Sequence, residues 1–443
     1  MAFSFRNLLV FIALFHVGIV VAALPPCQTY GSPNESPPAP EAGASPPEPE
    51  APYASPPALA PIPPPDLSPE PSEAPSNDGV FDVTKYGAVA DGVTESRLAF
   101  LAAWEAACGH PGNSTFYIPE GTFMVGPITF QGTCHNDLSP KVEIKGTLLA
   151  PTQLTAFKSL HWIAFKNLKG LTVTGGTETG KIDGQGEAEA WKQPSCEKAA
   201  RCKKLITSMF FVNISHAAIR NITLLNSKGF HLGLHESNDI NVYNVNVIAP
   251  EDSPNTDGIH VSKSSNISIF SSTIGVGDDC VSLGAGSNNI SISEVRCGPG
   301  HGISVGSLGK YKNEKDVVGI SVRNCTINNT DNGIRMKSWP GGRAMNAYNM
   351  TFEDILMINV SNPIVIDQEY CPSRKCKSTE DFISLTLLRV ESETSRKSVT
   401  KLGDQVSRVQ MLISVHKFTS ESLPTLLILY GSQQSTRDKT PAR

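Results

Sequence analysis

The sequence predicts an all-β chain folded as a right-handed parallel β-helix with a short N-terminal capping helix. Three observations lead there. One four-residue unit recurs as Asn221-Ile222-Thr223-Leu224, Ile240-Asn241-Val242-Tyr243, Asn266-Ile267-Ser268-Ile269, Asn289-Ile290-Ser291-Ile292, Gly319-Ile320-Ser321-Val322 and Asn349-Met350-Thr351-Phe352. The units stand roughly 20 to 30 residues apart, the spacing of solenoid repeats. Each alternates inward and outward positions over a few residues and then turns at Gly or Asn. A helical period appears ahead of them, where an open stack of strands needs a cap. Such a stack buries side chains along its axis and leaves one long groove, suited to an extended polymer.

Composition sets the outer bounds. The chain has 443 residues, enough for one large domain or two ordinary ones, and a 40% hydrophobic share that can fill a core. Its formal net charge is −5 and it carries no basic block, so nucleic acid is not an implied partner. An acidic substrate stays open, because a local cation pair can bind carboxylates on a weakly acidic protein.

In chain order, Arg6 precedes an apolar run from Leu8 to Ala23, which the small residues Ala22 and Ala23 close before Pro25 and Pro26. Residues 1–23 therefore read as a secretory signal peptide rather than a membrane span. No later stretch is apolar enough to cross a bilayer, and a monomer outside the cell is expected. Residues 24–78 read as a proline-rich linker: more than half of the 33 prolines fall there, in Ser36-Pro37-Pro38, Ser45-Pro46-Pro47 and Ser55-Pro56-Pro57 among others. A segment of this kind cannot bury a core and stays extended. Its pattern resembles the proline-rich modules of plant cell-wall proteins; a wall-associating arm and an inert spacer are both open.

The folded part is expected over residues 79–378. In the helix, Thr94 is the expected cap, with Leu98, Leu101, Trp104, Ala107 and Cys108 on one face at helical spacing. From about Lys141 the pattern becomes short β-rich runs broken by Gly, Asn and Asp, such as Val142-Glu143-Ile144 and Leu171-Thr172-Val173-Thr174. The glycines of Gly180-Lys181-Ile182-Asp183-Gly184-Gln185-Gly186 do not make a phosphate cradle, since no Lys-Ser/Thr follows and no helix opens. The repeats also create sequons at Asn221, Asn266, Asn289 and Asn324, where the Asn reads as a turn residue; Asn34 and Asn113 are better acceptors. In an oxidising compartment the 10 cysteines form disulfides, and the close pairs are Cys196 with Cys202, Cys280 with Cys297 and Cys371 with Cys376, then Cys108 with Cys134. No Cys or His spacing supports zinc.

The chemistry concentrates between Asn255 and Lys337. Asn255-Thr256-Asp257-Gly258 comes first, then Gly277-Asp278-Asp279-Cys280, Gly300-His301-Gly302 and Arg335-Met336-Lys337. Residues one repeat apart stack on the same face, so three carboxylates gather in one groove. Crowded like charges cannot all stay ionised cheaply, so at least one holds a raised pKa. Glycoside cleavage needs that combination: one carboxylic acid to protonate the leaving oxygen and one carboxylate to activate water.

In order and flanking residues this series resembles the active-site series of the plant polygalacturonases, the pectin-cutting enzymes of glycoside hydrolase family 28. Phe81-Asp82-Val83, Tyr86-Gly87-Ala88 and Asp91-Gly92-Val93-Thr94 resemble the opening of the same family. The resemblance implies that Asp278 is the general acid, that Asp257 and Asp279 position and deprotonate the water, and that His301 tunes their protonation or holds substrate. It implies that Arg335 and Lys337 bind galacturonate carboxylates, that Tyr370 in Gln368-Glu369-Tyr370-Cys371 contacts substrate, and that Asn255 shapes the site or merely turns the chain. Met336 stands where many members have Ile. The implied reaction is hydrolysis of α-1,4 bonds of homogalacturonan (pectin) with inversion, in the cell wall, without metal or cofactor. A rhamnogalacturonan or xylogalacturonan hydrolase is the sibling alternative. A pectate lyase would need calcium-binding acids and an arginine base instead.

After Ser378 the resemblance is expected to end. Residues 379–443 show no Asn-Ile-Ser repeat and no cysteine, apart from a brief return to the pattern at Ser407-Arg408-Val409-Gln410. An aberrant tail that replaces the last coils would leave the final strands as an open edge. A catalytically inactive pectin-binding wall protein is then the alternative of a different class, and the complete acid set argues against it.

Overall fold

The computed structural model describes residues 79–177, 180–193, 205–340, 345–372 and 376, together with strands Leu387–Thr394, Val406–Ile413 and Ile428–Leu429. The expected signal peptide and linker, and the Cys196–Cys202 pair, lie outside these residues.

The architecture is the right-handed parallel β-helix, with three faces of stacked strands. Strand-to-strand register makes the repeat visible as columns. Ile240, Ile267, Ile290, Ile320 and Met350 pair in succession and all point inward, buried. Val242, Ile269, Ile292, Val322 and Phe352 form the next inward column. Each of these side chains is covered above and below by its own counterpart, so one truncation opens a cavity the neighbours cannot fill. Ile290→Ala is expected to cost about 2–5 kcal/mol of unfolding free energy, read from urea denaturation of the purified protein.

The residues that open each unit explain the turns. Asp239, Asn266, Asn289 and Asn349 hold φ of 57°, 55°, 53° and 55°, with Gly319 at 70° in the same column. Left-handed backbone at a sharp corner selects Asn, Asp or Gly. The Asn289 amide donates to Asn266 Oδ1 at 2.7 Å, which ties one corner to the next. Asn221 and Asn324 are left-handed corners too, so the sequon asparagines are turn residues as expected.

The N-terminal end is capped by helix Arg97–Gly109. Its buried face matches the expected one at Trp104 and Ala107, with Leu101 and Cys108 packed against the core, and departs from it at Leu98. Ala99, Phe100, Ala103, Trp104 and Ala107 are buried, whereas Leu98 is 69% exposed. Aromatic packing decides this: Phe100 meets Phe116 and Phe123 edge-on, and Trp104 lies 4.9 Å from Phe130. The N-cap position is Ser96, and Thr94 is instead held by Asp91, which accepts from both its backbone N and its hydroxyl.

The C-terminal end also departs from expectation. Strand Val406–Ile413 contains the Ser407–Gln410 return, yet it pairs antiparallel with the last coil, from Met350↔Ile413 to Ile358↔Val406. Strand Leu387–Thr394 pairs antiparallel with it in turn, and Ile428–Leu429 pairs with Val365 and Ile364. Among the described residues the tail adds no further parallel coil. Its strands cover part of the final edge instead and pair some of the donors and acceptors left open there. Disulfides join Cys108 to Cys134, Cys280 to Cys297 and Cys371 to Cys376, as the close spacings indicated. Cys325, the remaining described cysteine, is free and buried.

Candidate active site

One face of the helix carries the candidate residues. Strands Ile259–Ser262, Val281–Leu283, Ile303–Leu308 and Thr326–Ser338 pair in register along it, with Ile259↔Val281↔Ile303↔Ile334 pointing inward. Their outward partners form the column His260, Ser282, Ser304 and Arg335. The turns entering these strands hold the acids. Gly258 N donates to Asp279 O at 2.9 Å and His301 N to Asp278 O at 2.8 Å, so Asp257, the Asp278-Asp279 pair and His301 sit on consecutive coils.

Those turns leave no room for side chains at the flanking glycines. A Cβ on Gly277 would stand 2.1 Å from Ser253 O. Gly302 has φ of 82°, and its Cβ would stand 2.1 Å from Asn332 O. Glycine therefore lets the acids and the histidine approach the coil beside them. The Cys280–Cys297 bridge pins the same stretch between the acid pair and His301.

The three carboxyls have different surroundings. Asp279 is 1% exposed. Its Oδ1 accepts from Arg335 Nη2 at 2.6 Å and Ser304 Oγ at 2.7 Å, and its Oδ2 from Lys337 Nζ at 2.7 Å. Burial alone would raise this carboxyl, but the Lys337 and Arg335 charges outweigh it and hold it below the ordinary carboxylate value. The Asp257 carboxyl, also buried, accepts only from Ser282 Oγ, at 2.7 Å, among the described residues. Burial pushes it well above the ordinary value, and the Asp278 and Asp279 charges push the same way. Asp278 is the member that reaches the groove, with its side chain 15% exposed.

His301 connects Asp278 to a residue the sequence reading missed. Its Nδ1 lies 3.0 Å from Asp278 Oδ1, and its Nε2 lies 3.4 Å from Asp331 Oδ2. Burial alone would lower His301; the hydrogen bond and charge of Asp278 outweigh that and raise it. His260, in the outward column beside Ser282, is instead pushed down to about 4 by burial and stays neutral.

Arg335 and Lys337 share the site, but both grip Asp279 rather than standing free in the groove. Arg335 Nη2 also lies 4.0 Å from Asp278 Oδ1. Lys337 Nζ lies 5.4 Å from the Tyr370 ring, which places Tyr370 at the same end of the groove. Met336 points inward between Val305 and Ile366, as expected. Asn255 is a left-handed corner at φ of 55°, two residues before Asp257. Ser282 and Ser304 were not singled out in the sequence. Their signal was the register, one coil after Asp257 and Asp279 on the outward face.

Asp278, Asp279 and His301 offer ligand atoms within 4.8 Å of one another. A cation there would have to displace the ammonium and guanidinium that already saturate Asp279, so this donor set does not fit a resident metal. Its chemistry is that of acids: one carboxyl open to the groove, one held ionised and one pushed toward the protonated form.

A family model described as glycosyl hydrolases family 28 matches residues 108–411, a span that runs past Ser378 through most of strand Val406–Ile413. An exopolygalacturonase of Arabidopsis thaliana is 44% identical over 326 residues, covering 74% of this chain and 75% of that protein. An exopolygalacturonase of Platanus acerifolia is 45% identical, covering 68% and 78%, and a polygalacturonase of Gossypium barbadense 43% identical, covering 68% and 73%. Among solved structures, an endo-xylogalacturonan hydrolase of Aspergillus tubingensis superposes with a TM-score of 0.57 at 24% identity, covering 66% of this chain and 77% of that one. A polygalacturonase of Erwinia carotovora superposes at 0.54 and 23% identity, covering 68% and 83%. These structural likenesses speak to the fold.

Proposed function

The chain belongs to the glycosyl hydrolases family 28 and is a glycoside hydrolase, and on that premise we propose that it hydrolyses α-1,4-galacturonosyl bonds of pectin with inversion. The observation that carries the reading is the division of labour among the three acids. Asp278 is the carboxyl exposed to the groove, so it is the group that hands a proton to the leaving glycosidic oxygen. Its contact with His301 supplies a cationic neighbour that the newly formed Asp278 carboxylate needs. Asp279, held ionised by Lys337 and Arg335, accepts the proton of the attacking water, and Asp257 beside it, pushed toward its protonated form, helps to position that water. The unused edges of Arg335 and Lys337 give the polymer's carboxylates positive charge at the scissile bond.

The relatives named exopolygalacturonase favour attack from a chain end, so monogalacturonate is the expected early product. The apolar Leu8–Ala23 run and the disulfides favour secretion to the cell wall.

The test is incubation with polygalacturonate and a chelator, following reducing ends and the ultraviolet absorbance of unsaturated products together. Reducing ends without absorbance are expected. Absorbance would mean elimination and sink the hydrolytic mechanism. A soluble chain that releases neither signal would move the pectin-binding wall protein to first place.

A further inference from the structure

Beyond Arg335 and Lys337 the groove face continues into residues the reaction leaves unused. Trp339 N donates to Leu308 O at 2.9 Å, and Tyr370 N donates to Ser338 O at 3.0 Å. Leu308-Gly309-Lys310, Trp339 and Tyr370 are thereby neighbours on consecutive coils. Lys310 Nζ lies 4.7 Å from the Trp339 ring and 5.1 Å from the Tyr311 ring. Trp339 meets Tyr370 edge-on at 5.8 Å, and Tyr370 stands beside Lys337. A continuous run of rings and cations leads from Asp279 through Lys337 to Lys310.

The charge of this loop is left unspent. Lys310, Lys312 and Lys315 are exposed. The loop has two acids, and both are occupied by uncharged partners. Glu314 accepts from the backbone N of Gly309 and of Tyr311, each at 2.7 Å. Asp316 accepts from Asn346 N at 2.7 Å and Asn346 Nδ2 at 3.0 Å. Among the described residues no lysine of the loop makes an ion pair. Glu314 thus fixes the loop that presents Lys310 instead of neutralising it. Trp339 Nε1 is buried and has no hydrogen-bond partner among the described residues.

We propose that Lys310, with the Tyr311 and Trp339 rings, forms a binding subsite for a uronate unit of the polymer beyond the scissile bond. The ammonium takes the carboxylate, and the aromatic faces take the C–H face of the sugar ring. An exposed cation beside two rings, on a loop whose acids serve the backbone, is free to take an anionic ligand from outside the chain. The inference rests on the acidic-polymer reading of the function, which the test separates from it.

The experiment compares kcat/KM on galacturonate oligomers of increasing length for the native chain, Lys310→Ala and Lys310→Arg. Lys310→Ala is expected to lower kcat/KM about 3–10-fold on the longest oligomers. The loss appears mainly in KM, is smaller on shorter oligomers and shrinks as salt is added. Lys310→Arg is expected to restore most of it. An equal loss at every length, or none, overturns the subsite. If the native chain cleaves no oligomer, the functional reading fails on its own, and calorimetry still reads the subsite: Asp278→Asn should bind a long oligomer more tightly than Asp278→Asn with Lys310→Ala. Equal affinities there overturn the proposal.

Discussion

Asp278→Asn is expected to lower kcat on polygalacturonate by about 10²–10⁴-fold while leaving the fold intact. The substitution removes the proton donor and almost nothing else. Asp278 Oδ1 accepts from Asp279 N at 2.9 Å, and an asparagine oxygen accepts the same bond. The contact with His301 at 3.0 Å survives in the same way, because an asparagine oxygen accepts from the imidazole N–H even though His301 loses the Asp278 charge that raises it. The side chain sits at the groove surface rather than in the core, so no cavity opens. Steady-state kinetics and a thermal melt on the same preparation check this. A variant that melts with the native chain and retains near-native kcat would remove Asp278 from the reaction. Retained binding to pectin alongside lost turnover is the expected pairing.

Lys337→Met should be the most destabilising single change in the site, at about 3–5 kcal/mol. Asp279 is 1% exposed and Lys337 7% exposed, so removing the ammonium leaves a buried carboxylate with Arg335 as its one remaining cation and Ser304 as a neutral donor. The pH dependence has a definite sign. The folded Asp279 carboxyl lies below its unfolded value, so its contribution is complete above about pH 3.9 and is lost as pH falls through the folded pKa. Asp257 runs the other way. Its folded pKa is raised, so its contribution is present below about pH 3.9 and is lost as pH rises through the folded pKa. Without Lys337 the leading downward cause on Asp279 disappears, and the acid-side loss of stability should move to higher pH. Urea unfolding across an acid series measures both effects. Pairing Lys337→Met with Asp279→Asn should recover part of the loss, because the unpaired charge is then gone. No recovery would mean that the lysine stem's packing, not its charge, sets the cost.

The repeat and the site series were legible for a physical reason. An inward side chain in a stacked coil must be apolar, and a left-handed corner must be Asn, Asp or Gly, so Asn-Ile-Ser recurs wherever the stack continues. Asn266 and Asn289 show both constraints in one place. The capping helix was legible in existence and only partly in face. Leu98 fits a helical period as well as Phe100 does, and the aromatic cluster of Phe116, Phe123 and Phe130 selects Phe100. The tail strand at Val406–Ile413 was legible as a strand, but its antiparallel direction was not, since alternation carries no direction.

By itself, the sequence determined that this chain is a stack of short parallel strands and that three aspartates and a histidine arrive on consecutive coils. Tertiary structure alone decided what each of them touches. Ser282 reaches Asp257 and Ser304 reaches Asp279 across 25 residues, while Arg335 and Lys337 reach Asp279 across 56 and 58. Lys310 finds Trp339 in the next coil. Coil lengths vary with their loops, so the residue facing an acid cannot be counted off along the chain. Backbone pairing between coils sets that register, and the register separates a carboxyl held ionised from one pushed toward its acid form.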